Sequence, residues 1–300
     1  MKRVLFVMVF ALLAGTASQA QLLYRISGNK LEKPSYIVGT YHLAPAAFAD
    51  SIPGMRAAFD AVEQVCGEVD MLETLKPENV AKMQEAQMLP EGTTLSSLLT
   101  TEELDRLNAL LRELMGMDLN NEALAEQLDK VTPMVLETTL SLLIYMKNIE
   151  GLNPADLIDT YFQREAMKTG KAVTGFETAE FQMEVLYGAP LEEQAKSLVC
   201  FVDHYQEAVE MADFITAAYF AQDLEQLEEL NLEEQEGECA GSPEDNDRLI
   251  YDRNANWVKV MPEMMSGKAT LFVVGAFHLC GERGVLQMLE KAGYKVEGVK

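Results

Sequence analysis

Two stretches decide how this chain reads: Tyr36-Ile37-Val38-Gly39-Thr40-Tyr41-His42-Leu43 and Phe272-Val273-Val274-Gly275-Ala276-Phe277-His278-Leu279 match position for position in residue type, although they lie near opposite ends of 300 residues. Each is an apolar run rich in β-branched and aromatic residues, which favours a strand. Each strand ends in Gly, which lets the backbone turn sharply, and a His follows three positions later. That His lands just past the carboxyl end of the strand, where open α/β sheets build their sites. A helix and then a second strand, at 65–71 and 294–299, follow each copy, so the pattern predicts an internal duplication.

The intervening sequence changes period. Leu22 to Ile26 reads as a first strand, joined to the second through a Gly28-Asn29-Lys30 turn. Pro53 is expected to open a helix striped by Met55, Phe59 and Val62. From about residue 76 to 235 the apolar spacing is helical. Thr100 with Glu103 forms a capping box ahead of Leu104, Leu107, Leu111 and Leu114, and Gly116 stops that helix. Thr132-Pro133 and Asn153-Pro154 mark two further helix starts, and a strand interrupts the block at Ala172 to Phe176. Met134, Tyr145, Met146, Tyr161, Phe162 and Met167 read as core packing. A last helix, Asn246 to Met265, leads into the second motif strand. The expected fold is α/β (α+β): a pseudo-two-fold mixed β-sheet core from two duplicated Gly-x-x-His units, with a large all-helical insertion between them.

The first twenty residues stand apart. Lys2 and Arg3 precede an apolar run from Val4 to Leu13, and Ser18-Gln19-Ala20 supplies a small-x-small cleavage site before Gln21. That run falls short of the about 20 residues a membrane span requires, and no later stretch reaches that length. The reading is a signal peptide at 1–20 and one domain at 21–300, comprising a first half at 21–75, a mainly helical insertion at 76–245 and a second half at 246–300. Export to the periplasm or beyond follows from it, with no integral membrane segment after cleavage. A formal charge of -24 argues against a nucleic-acid partner, because phosphate binding needs a basic face. Of the four cysteines, Cys200 and Cys239 share the polar helical half, and their pairing is expected among the three connectivities possible. The acidic stretch Glu225 to Glu238 reads as a solvated helix tail.

The chemistry centres on His. Among only three in the chain, His42 and His278 occupy equivalent motif positions. Paired imidazoles suit a divalent transition metal such as Mn, Co or Zn. Glu68, at the end of the strand beside the first motif, is the carboxylate expected to join them; an exposed strand end is the alternative for Glu68 and Asp70. His204 reads as a surface or structural residue. No Gly-x-Ser-x-Gly and no Cys-x-x-Cys occurs.

At Gly39-Thr40-Tyr41-His42, Glu68-Val69-Asp70, Gly175-Phe176-Glu177-Thr178 with Gln182, Arg248 to Asn254, and Gly275-Ala276-Phe277-His278-Leu279, the chain resembles the TraB/GumN family, which includes the Tiki proteins. The resemblance implies a metal-dependent protease acting on a peptide or protein substrate, in which His42, His278 and Glu68 hold the metal. Glu68 or Glu177 would serve as general base, and Arg253 would stabilise the oxyanion or bind a substrate carboxylate. An ordinary salt bridge is the alternative role for Arg253. A homo-oligomer is compatible with this reading. Two other functions stay open: a metal-free hydrolase using His as general base, and a non-catalytic protein that binds haem or captures peptide.

Overall fold

The computed structural model describes residues 21–148, 153 and 155–300. The leader read at 1–20 and Pro154, expected to open a helix, lie outside the described residues. Among the described residues, no helix is long and apolar enough to cross a membrane.

The hairpin expected at the start is present as β1 (Leu23–Gly28) and β2 (Ser35–Thr40), paired antiparallel. Its turn takes φ of 82° at Gly28, 46° at Asn29 and 68° at Lys30, a left-handed path that Gly and Asn adopt most readily. With β3 (Gln64–Val69), β4 (Ala172–Glu177), β5 (Thr270–Gly275) and β6 (Tyr294–Gly298), the sheet has the order β4-β3-β5-β2-β1-β6. β4, β3, β5 and β2 run parallel, while β1 runs against both β2 and β6. The chain is therefore a mixed α/β fold. The two motif strands are immediate neighbours: Gly39 pairs with Val274, and Thr40 with Gly275.

Helices cover both faces, because alternate residues of the inner strands are apolar on each side. Val38, Val65, Leu271 and Val273 enter one core with Phe59, Phe162 and Tyr219, whereas Ile37, Cys66, Phe272 and Val274 enter the other with Trp257, Met261 and Leu289. A third cluster, Leu95, Leu107, Leu111, Leu136, Leu140 and Leu198, lies within the helical block. That block runs from the helix Pro77–Ala86 through Leu224–Glu236, and β4 is the one strand inside it among the described residues. The Thr100 capping box and the left-handed stop at Gly116 are as expected. Cys200 and Cys239 are disulfide-bonded, and Cys66 and Cys280 are reduced and buried.

Several local expectations give way. Pro53 does not open a helix; a 3-10 turn, Ala46–Ser51, comes before it, and Gly54 at φ 72° caps the helix Met55–Ala61. The helix expected from Asn153-Pro154 begins instead at Ile158 and runs to Lys168. Ile158, Phe162 and Ala166 take its buried face at four-residue intervals, which turns Met167 outward. Met146 is likewise exposed rather than packed in the core. The last helix is present but starts earlier than Asn246 and is not α-helical throughout: it runs from Pro243 to Gly267, with a π-helical segment Asp247–Tyr251 between the α-helical stretches Pro243–Asn246 and Asp252–Gly267.

Two glycines let the chain close over the site edge. At Gly175 a Cβ would come within 2.6 Å of the Val69 carbonyl carbon, and at Gly39 one would meet Leu279 at 2.9 Å and Ala276 at 3.1 Å. Backbone cannot yield as a flexible side chain can. Gly175→Ala is therefore expected to lower unfolding free energy by roughly 1–3 kcal/mol in urea denaturation. Gly267→Ala, with nothing within 4 Å of the added carbon, should be neutral or slightly stabilising.

Candidate active site

Because β2, β3, β4 and β5 run parallel, their carboxyl ends share one edge, and the motif residues gather there. Glu68 stands at the end of β3. The helix Ile158–Lys168 fixes this strand end: Gln163 Nε2 donates to the Val69 carbonyl at 2.9 Å, and its Oε1 accepts from the Met71 amide at 2.9 Å. Glu68 Oε1 accepts from the Gly275 amide at 2.8 Å, while Oε2 accepts from Arg253 Nη2 at 2.5 Å and Gln182 Nε2 at 3.3 Å. Asp70 turns away and caps the short helix Met71–Thr74 through the Leu72 amide.

Arg253 is the hub. It is 5% exposed, and its Nε donates to Glu177 Oε1 at 2.9 Å. Nη2 bonds both Glu177 Oε2 and Glu68 Oε2, and Nη1 donates to the Leu249 carbonyl at 3.0 Å and to His278 Nε2 at 3.2 Å. Asn254 and Trp257 follow on the same helix, one and four residues on. Trp257 Nε1 donates to Glu177 Oε1 at 2.8 Å, and its ring lies against His278 with centroids 4.4 Å apart. Asn254 Nδ2 donates to the Arg283 carbonyl, so its Oδ1 faces His278 Nδ1 at 2.7 Å. One tautomer satisfies this network: Nδ1 carries the proton and Nε2 the lone pair.

His42 is placed differently. Its side chain is 76% exposed, and its Nδ1 lies 3.0 Å from Asp159 Oδ2. Thr40 donates to the other Asp159 oxygen. Asp159 sits in the first turn of the helix Ile158–Lys168, where the dipole favours an acid. Its charge, with the hydrogen bond, raises the His42 pKa to about 9.

The electrostatics separate the two histidines. Burial pushes His278 down to about 4, so it is neutral at physiological pH. Burial also opposes ionisation of Glu68, but the charges of His278, Arg253 and His42 outweigh it and hold this carboxyl well below the usual range. With His278 uncharged at neutral pH, the Arg253 guanidinium bonded to Glu68 and the protonated His42 are the cations that keep this carboxylate ionised.

Of the residues singled out by sequence, Glu68, Glu177, Arg253 and His278 thus form one hydrogen-bonded network, and His42 stands at its mouth on the adjoining strand end. His204 lies between the helices Leu191–Asp203 and Tyr205–Phe220, bonded to Glu207. Asp159 carries no sequence signal of this role: with the helix read from Asn153-Pro154 it is one more acid inside a helix of an acid-rich chain. Asn254 and Gln182 belonged to recognised motifs, but nothing in the sequence assigned them partners.

The donor set suits a divalent metal chemically. Both imidazoles have Nδ1 held by an acceptor, Asp159 or Asn254, which leaves Nε2 to ligate, and Glu68 is an ionised carboxylate. Against this, Arg253 already occupies the His278 lone pair. Among the described residues, only Cys200, His204 and Cys239 bring three metal-type ligand atoms within 4.8 Å of one another, and both of those cysteines are bridged.

Comparison with known proteins gives this edge a context. The model of the TraB/PrgY/gumN family matches residues 22–298. Curated relatives include a protein named Metalloprotease TIKI homolog from Nematostella vectensis, 23% identical over 90% of this chain and 66% of its own length. Metalloprotease TIKI2 from Danio rerio is 25% identical over 88% of this chain and 58% of its own length. A further Metalloprotease TIKI homolog, from Amphimedon queenslandica, is 23% identical over 94% of this chain and 62% of its own length. The chain thus spans less than two thirds of the length of these relatives. No solved structure matches.

Removing the hub should expose its electrostatic role. Arg253→Ala leaves two buried carboxylates without their cation, and a loss of about 3–5 kcal/mol is expected in urea denaturation at pH 7. In the native chain the depressed Glu68 pKa adds stability that is complete above its unfolded value near 4.5 and drains away as pH falls towards 2. The variant lacks the share of that contribution that Arg253 makes, so the gap between the two proteins should narrow in acid.

Proposed function

Since the chain belongs to the TraB/PrgY/gumN family, we propose that it is an exported, metal-dependent hydrolase that cleaves peptide bonds at the strand-end site around His42, Glu68 and His278. The observation that carries this reading is the placement of the two motif histidines: they stand just past the ends of adjacent parallel strands, each with Nδ1 held by an acceptor, so that Nε2 is the atom each would offer a metal once Arg253 gives up that of His278. The relatives named metalloproteases support it. Export rests on the leader at 1–20 and on the Cys200–Cys239 disulfide, a bond characteristic of oxidising compartments.

His42, His278 and Glu68 would hold the metal, and imidazole with carboxylate suits Mn, Co or Zn. When bound, such a metal supplies Lewis acidity, polarising a carbonyl and acidifying water to a pKa of about 7. Asp159 orients the His42 ring and Asn254 that of His278. Arg253 holds Glu68 ionised and fixes its rotamer. Both oxygens of Glu177 are taken up by Arg253 and Trp257, which makes Glu177 a support for Arg253 rather than a proton acceptor. Arg253 likewise has no free donor aimed outward, so the salt-bridge role fits it better than oxyanion binding.

The Arg253 contact with His278 Nε2 favours a second reading, in which no metal binds and the His42–Asp159 pair acts as general base on water. In that case activity would rise with pH as His42, whose pKa Asp159 has raised, gives up its proton.

A peptide-library digest with elemental analysis separates the two. The metal reading expects activity lost on chelation and restored by Mn, Co or Zn, with His42→Ala and His278→Ala each costing about 10²-fold or more. Asp159→Asn should cost roughly 10–100-fold through His42. Activity untouched by chelator but lost in His42→Ala selects the metal-free hydrolase, and cleavage surviving both histidine substitutions overturns both.

A further inference from the structure

The four cysteines fall into two classes. Cys66 and Cys280 are reduced and enclosed in the two sheet-facing cores. Cys200 and Cys239 are bridged, and Cys239 is exposed, so a reductant can reach them. His204 lies four residues after Cys200, one helical turn on, and therefore on the same side of the backbone. A ring nitrogen of His204 and the two sulfurs all fall within 4.8 Å of one another. Two carboxylates flank that ring: Glu207 Oε2 lies 2.8 Å from Nδ1, and Glu238 Oε2 lies 3.8 Å from Nε2.

We propose that reduction of the Cys200–Cys239 disulfide by a dithiol opens a zinc site built from Cys200, Cys239, His204 and Glu238. The site shares no residue with the network around His42, Glu68 and His278. The chemistry balances in two steps. The dithiol supplies two electrons and two protons, the sulfur–sulfur bond breaks, two thiols form, and the reductant closes into its own disulfide. Zinc then displaces the two thiol protons, which pass to solvent as two zinc–sulfur bonds form. His204 completes the set through Nε2, because Glu207 holds Nδ1 in the manner of a carboxylate behind a ligating histidine. Glu238, next to Cys239 in the chain and facing Nε2, is the fourth donor, giving the four-coordinate sulfur, nitrogen and oxygen environment that zinc accepts. The bridged sulfurs offer no thiolate, so the disulfide and the metal exclude one another. The cross-link at the end of the helix Leu224–Glu236 can thus be made by either a covalent bond or a metal.

Cobalt reports such a site directly, since thiolate ligands give it an intense near-ultraviolet charge-transfer band. The full chain is reduced with dithiothreitol, freed of reductant without air and titrated with cobalt, then zinc. Cobalt, added up to two equivalents so that the strand-end site cannot consume it all, should produce the band, zinc should bleach it, and the oxidised chain should show none. His204→Ala should weaken cobalt binding roughly tenfold or more, and the double variant Cys200→Ser, Cys239→Ser should abolish the band. His42→Ala should keep it, because the strand-end site contains no thiolate, so this test stands whether or not that site binds metal. Zinc should also protect Cys200 and Cys239 of the reduced native chain from alkylation, a readout needing no substitution. No band or no protection in the reduced native chain, or a band retained by the double serine variant, overturns the proposal.

Discussion

A single guanidinium shared by two buried carboxylates organises this protein. Arg253 joins Glu68 at the end of β3, Glu177 at the end of β4 and, through His278, the turn that follows β5. Two acids and a base taken out of water are costly unless every charge is matched. Here the fork geometry of arginine matches them: its donors face Glu177 and Glu68 together, with the Leu249 carbonyl and His278 taking the remaining bonds. Lysine could not reproduce that arrangement from one point charge. Three strand ends are thereby held in register against one helix.

That helix brings more than charge. Asn254 sets the tautomer of His278, and Trp257 covers its ring while bonding Glu177, so residues one and four beyond Arg253 act on the same target. The π-helical segment Asp247–Tyr251 leads directly into this face and supplies the Leu249 carbonyl to the guanidinium. Such segments change the phase of a helix relative to an unbroken α-helix and are frequent at functional sites.

The helical block between the motifs completes the site edge. Its helix Ile158–Lys168 provides Asp159 to His42 and Gln163 to the strand end that carries Glu68, and the helix Ala179–Tyr187 provides Gln182 to Glu68 itself. Gly67 and Gly175, opposite each other on β3 and β4, leave room for Gln163 and for the Val69–Asp70 backbone. The asymmetry between the histidines follows from these neighbours. One is enclosed by the Arg253 helix and kept neutral, and the other is open to solvent beside an acid that attracts a proton.

The strands were legible in sequence, because short apolar runs rich in β-branched and aromatic residues are a local signal, and two of them are marked further by Gly-x-x-His. So were the capping box at Thr100 and the proline-led helix at Pro133, whose chemistry lies within one turn. Local signals failed where neighbours decide: Gly54 rather than Pro53 opens the first α-helix, and the last helix widens to π-helical geometry at Asp247–Tyr251. The residues of the candidate site, Glu68, Glu177, Arg253 and the two histidines, were also named from sequence, and the fold brings the first three together with His278. Their partners were not legible. That Arg253 is spent inside the network, that Asp159 serves His42, and that Asn254 orients His278 depend on which side chains meet across distant segments, and only tertiary packing sets those contacts. The sequence by itself determined where the two histidines stand along their strands; the folded chain decided what each of them touches, and with it their opposite affinities for a proton.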